Sequence, residues 1–102
     1  MPRRLAAGSI PLLLLVAFAS ARAAPSAPVD VYVFHGEGCP HCATALAFLE
    51  DLRADHPHLR VHAFEVWHDD ANRALLQAFA RAYDREVRGV PVIVVGDAWW
   101  TG

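Results

Sequence analysis

The sequence carries two cysteines, Cys39 and Cys42, separated by Pro40 and His41. Two thiols at that spacing can close on each other, and a reduced pair can exchange with another disulfide through a mixed-disulfide intermediate. The attacking form is the thiolate, which is stabilised when the first cysteine stands at a helix N-terminus, among unpaired N–H groups and the positive end of the helix dipole. In such motifs the pKa of the first thiol falls to roughly 3.5–7.5. His41, when protonated, adds a positive charge or an N–H donor beside the Cys39 sulfur. That favours the reduced form and makes the disulfide a better oxidant, by ~1.4 kcal/mol for each ~30 mV of potential. Cys39 is accordingly the candidate nucleophile, Cys42 the resolving thiol, His41 the residue that tunes the pair, and Pro40 the first helical residue, where a missing N–H costs nothing.

Two other readings of the pair stand beside this one. The same spacing occurs in zinc sites, and His35 with His41 could complete a four-ligand set. A disulfide could also be inert, part of a binding module that catalyses nothing. Against that, a four-residue loop constrains the unfolded chain little, so the bridge is a weak staple. The preferred reading holds no metal and needs no cofactor, because the exchange uses two sulfur atoms and those of the partner.

The surrounding residues must build a strand, a sharp turn and a helix for this chemistry to work. Val29 to Phe34 is a short β-branched and aromatic run suited to a buried strand, ending at His35. Gly36 and Gly38, with Glu37 between them, let the backbone swing before a helix that starts at Cys39. Cys42, Leu46, Leu49 and Leu52 recur at helical spacing, so Cys42 faces inward and Cys39 outward. Pro57 ends that helix near Asp55.

Leu59 to Trp67 is a second strand with both faces mostly covered, and Asp69 or Asp70 caps a second helix with an apolar stripe of Leu75, Leu76, Phe79, Ala82 and Tyr83. Val92 to Val95 is a third strand, entered through Val90-Pro91, and Gly96-Asp97 turns into a fourth at Ala98 to Trp100. The order strand, helix, strand, helix, strand makes the first two strands parallel. His56, His58, His62 and His68 are most simply solvated. His35 is placed to tune the site and Glu65 is a candidate proton-relay acid. Trp67, Trp99 and Trp100 are most simply packing residues, the last two leaving an apolar patch.

The first 23 residues have the pattern of a signal peptide: Arg3 and Arg4, the apolar run Ile10 to Ala19, and small residues at Ala21 and Ala23. A membrane anchor is the alternative, since Leu5 to Ala21 carries no charge. Residues 24–28 are then a tether and 29–102 the folded domain. Beyond residue 23, six arginines face eleven acids, a formal charge of −5 with no lysine. That balance argues against nucleic acid. An exported chain would meet an oxidising compartment, here the periplasm, where the pair can persist as a disulfide.

Strand, glycine turn, Cys39-Pro40-His41-Cys42 and a later Val90-Pro91 before a strand together resemble the thioredoxin-like superfamily over about Val29 to Trp100. The tetrapeptide is similar to that of DsbA-type disulfide oxidases, and Val31 to Cys42 resembles a glutaredoxin. The resemblance implies an α/β three-layer sandwich in the order β-α-β-α-β-β. Its final strand and closing helix are expected to be incomplete or absent, as in a chain cut short. It implies a cis bond before Pro91, lying against the disulfide, with Val90 presenting its N–H and C=O to a substrate peptide. It implies cysteine-containing protein substrates and a separate redox partner, which a membrane protein could be, to recharge the pair. Val33 stands where many thioredoxins keep a buried acid. Gly96-Asp97 stands where glutaredoxins usually have two glycines that help to hold glutathione.

Overall fold

The computed structural model describes residues 27–102 together with Gly8. The segment read as a signal peptide or anchor, and the start of the tether, lie outside the described residues. Among the described residues no helix is long and apolar enough to cross a membrane.

Six elements follow one another: β1 (Val29–His35), α1 (Pro40–Asp55), β2 (Leu59–Glu65), α2 (Asp70–Ala82), β3 (Val92–Val95) and β4 (Ala98–Thr101). The strands form one sheet in the order β2-β1-β3-β4. β1 pairs parallel with β2 and antiparallel with β3, and β3 is antiparallel to β4. β4 pairs with every residue of β3, so the final strand is formed over the whole length of its neighbour.

Side-chain alternation along β1 assigns the helices to opposite faces. Val31 and Val33 point to one face and pack with Leu49 and Leu46 of α1. Phe34 points to the other and packs with Val92, Val94 and Leu76, flanked by Tyr32, Phe79 and Tyr83. Helix, sheet and helix therefore make three layers. Phe34, Val33, Val92 and Val94 are fully buried, and each contributes roughly 1.5–3 kcal/mol of hydrophobic stabilisation. β1 and β3 are the central strands, as their near-continuous apolar runs require.

Several sequence expectations change in detail. β2 stops at Glu65, and it is an edge strand with Arg60 and Ala63 exposed, so its faces are less covered than expected. In α2 the buried positions are Leu76 and Ala80, and Ala82 is exposed. Trp67 and Trp100 are exposed, whereas Trp99 packs beside Tyr83 at 5.9 Å between ring centroids. Asp69, rather than Asp70, caps α2, accepting the Asn72 N–H at 2.9 Å.

Candidate functional site

Cys39 is the N-cap of α1 and Pro40 is the first residue of that helix. The N–H of Cys39 donates to the Gly36 carbonyl at 3.1 Å, which closes the Gly36-Glu37-Gly38 turn. Gly38 has φ +90°, a conformation that side chains disfavour. Gly36 is required for a different reason: an added Cβ would overlap the Trp67 ring, which lies on it.

Cys39 and Cys42 form a disulfide, with their Cα atoms 5.2 Å apart. The Cys42 N–H donates to Cys39 Sγ at 3.1 Å. This is the capping arrangement that satisfies an otherwise unpaired N–H of the first helical turn, with sulfur in place of the usual oxygen. When the pair is reduced, the same N–H and the helix N-terminus face the Cys39 thiolate. Cys39 is less exposed than its expected outward position implies, at 8 %, because the glycine turn folds against it; Cys42 is at 1 %. His41 is exposed on the first turn of α1.

A cleft of about 300 Å³ opens on the pair, lined among others by His35, Glu37, Leu46 and Glu65. His35 lines this cleft together with the two cysteines. Among the described residues, no three His, Cys, Asp or Glu side chains gather as metal ligands.

The peptide bond between Val90 and Pro91 is cis. Phe34 pairs with Val92 in antiparallel register, which sets Val90-Pro91 beyond the end of β1 from which the cysteine turn departs. Pro91 is buried and Val90 half-buried. Among the described residues neither the N–H nor the C=O of Val90 has a backbone partner. Val90 also lines a cleft of about 260 Å³ with Trp67 and Arg73.

Glu65, a candidate relay acid in the sequence, is engaged as a hydrogen-bond acceptor. Its Oε2 accepts the Glu37 N–H at 2.7 Å and lies 3.3 Å from His68 Nδ1, and its Oε1 accepts the His68 N–H at 2.6 Å. The Glu37 N–H, with the His68 groups adding to it, holds the Glu65 carboxyl down at about 2. A carboxylate so committed as an acceptor is poorly suited to relay protons near neutral pH. Asn72, unremarked in the sequence, donates from Nδ2 to the Glu65 carbonyl at 3.0 Å and so ties α2 to the end of β2. The available signal was Glu65's place at the last residue of a strand, just before a turn.

The remaining histidines do not join the site. His62 Nε2 lies 2.8 Å from Asp30 Oδ1 at the far end of the sheet, where Arg60 grips the same carboxylate through Nε at 2.8 Å and Nη2 at 2.9 Å. His56 and His58 meet edge to face past the end of α1.

The family model for Glutaredoxin matches residues 29–100, from the first residue of β1 to the third of β4. Neither the curated proteins nor the solved structures give a match. A match that runs through all six elements and both halves of the site makes this chain a member of the glutaredoxin family, and so of the thioredoxin-like superfamily, whose thiol–disulfide chemistry its cysteine pair is spaced to perform.

Proposed function

We propose that this protein exchanges disulfides with cysteine-containing proteins outside the cytoplasm, through Cys39 and Cys42. The observation that carries the reading is the difference between the two sulfurs: both cysteines line the cleft, but Cys39, at the helix N-terminus, keeps 8 % of its surface exposed and Cys42 only 1 %. The more accessible sulfur is the one a substrate meets first.

In the oxidising direction a substrate thiolate attacks Cys39 Sγ, the Cys39–Cys42 bond breaks, and Cys42 leaves as a thiolate. A second substrate thiolate then attacks the substrate sulfur of the mixed disulfide and releases the Cys39 thiolate, which the Cys42 N–H and the helix N-terminus stabilise. The substrate loses two electrons and the pair gains them. A separate redox partner restores the disulfide. His41, on the first turn, favours the thiolate when protonated, and Val90 offers an extended substrate segment its N–H and C=O, which have no backbone partner among the described residues. The location outside the cytoplasm rests on the N-terminal pattern of Arg3, Arg4 and the apolar run to Ala19.

Replacing Cys39 by serine abolishes exchange with a protein thiol substrate, and replacing Cys42 by serine traps the mixed disulfide on Cys39, visible as a reductant-sensitive adduct. A Cys39→Ser protein that still exchanged disulfides would overturn the proposal.

A further inference from the structure

The turn that carries Cys39 contains two glycines in three residues, and such a sequence is intrinsically loose. Its own backbone supplies one closing bond, from the Cys39 N–H to the Gly36 carbonyl. The middle of the turn is fixed from outside, by the Glu65 carboxylate on the Glu37 N–H at 2.7 Å. The other oxygen of that carboxylate takes the His68 N–H at 2.6 Å, fixing the β2–α2 turn that lays Trp67 on Gly36. One side chain therefore fastens both loops that border the cysteine pair, and it lines the same cleft.

Resting on the redox reading above, we infer that Glu65 is a positioning residue for the Cys39 thiolate, acting through the Glu37 amide. Two effects of the carboxylate oppose each other. Its negative charge beside the cleft disfavours a thiolate. Its hold on the turn keeps Cys39 Sγ at the cap position, 3.1 Å from the Cys42 N–H, where a thiolate is favoured. The charge is partly offset by the two backbone N–H groups it accepts from, whereas the cap contact falls off steeply as the geometry loosens. The positioning effect is the larger. The carboxylate is a lasting clamp because both of its oxygens are engaged by backbone donors, and it remains ionised down to about pH 2.

The test is the pKa of Cys39 in reduced Cys42→Ser protein, where a single thiol titrates, followed by ultraviolet absorbance of the thiolate. Glu65→Gln raises that pKa by about half a unit, which is about three-fold less thiolate at a given lower pH. Glu65→Ala raises it at least as far. His68→Ala keeps the backbone N–H and shifts the pKa by less than Glu65→Gln does; a shift as large as that of Glu65→Gln would overturn the backbone clamp. A Glu65→Gln value that fell or stayed still would overturn the positioning role and leave the redox reading intact. A parent Cys39 titrating at the ordinary value of about 8.5 would overturn the redox reading and this inference with it. Hydrogen exchange on the unaltered protein gives a check independent of any variant: the Glu37 and His68 amides are protected, and exchange of both at the rate of an unstructured chain would overturn the clamp.

Discussion

Asp30 and Glu65 stand at opposite ends of the paired strands β1 and β2, and both carboxyls are held down at about 2, by different means. Asp30 is gripped by side chains, first by the two-pronged bond from Arg60 and then by His62. Glu65 is gripped mainly by backbone N–H groups, from the turn before Cys39 and the turn before α2. A side-chain pair on an exposed edge joins two strands that already pair through their backbones. A backbone-held carboxylate joins two loops, adding to the Val66 N–H bond to the His35 carbonyl at 2.8 Å and the packing of Trp67 on Gly36. The same depressed pKa thus marks an accessory ion pair at one end and a structural part of the sulfur site at the other.

The largest expected contrast is in turnover. Cys39→Ser removes the nucleophile and with it all exchange, whereas Asp30→Asn, at the far end of the sheet, leaves the rate of exchange with the same substrate within about two-fold, because a surface ion pair contributes little to a fold held by its core. A large loss of turnover in Asp30→Asn, with the protein still folded, would break the distinction between the two ends.

A smaller effect separates the two glycines of the turn. Gly36→Ala forces a methyl into the Trp67 ring and costs about 1–3 kcal/mol, the usual range for overpacking. Gly38→Ala meets open space but holds φ +90°, and costs about 1 kcal/mol of backbone strain. Urea unfolding of the two variants checks the order. Trp67→Ala should remove most of the Gly36→Ala penalty and leave that of Gly38→Ala unchanged.

The parts of this molecule that were legible in the sequence are those set by local pattern. Val29 to Phe34, the Cys42-Leu46-Leu49 spacing and Val92 to Val95 each announce their element because periodicity and β-branching act over neighbours. Cys39 and Pro40 at the start of a helix follow from capping chemistry, and the cis bond at Pro91 came with the family resemblance. The contacts of Glu65 did not follow, since its partner Glu37 lies 28 residues away and is reached through a backbone amide that has no residue identity. Trp67 was misplaced for the same kind of reason. An aromatic residue reads as core, and only the fold shows that it lies half-exposed over Gly36. The edge position of β2 depends on strand order, which periodicity does not encode.

The smallest effects are the most direct test of the two carboxylates. Both have a folded-state pKa below the ordinary one, about 2 against 3.8 for Asp30 and about 2 against 4.5 for Glu65. As pH falls, the unfolded chain takes up these protons first, so the stabilisation is present in full above the ordinary values and is lost as pH approaches 2. Glu65→Gln should therefore flatten the fall in stability that begins near pH 4.5, and Asp30→Asn the part that begins near 3.8, each followed by urea midpoints. Salt then separates the mechanisms. At ~1 M the screening length is only ~3 Å, so exposed ion pairs weaken. The difference made by Asp30→Asn should shrink there, because its partner Arg60 is an exposed cation. The difference made by Glu65→Gln should persist, because short hydrogen bonds from backbone amides carry no net charge to screen. Equal loss of both differences in salt would mean that Glu65 is held chiefly by the charge of His68, and the contrast between the two ends of the sheet would reduce to one of position alone.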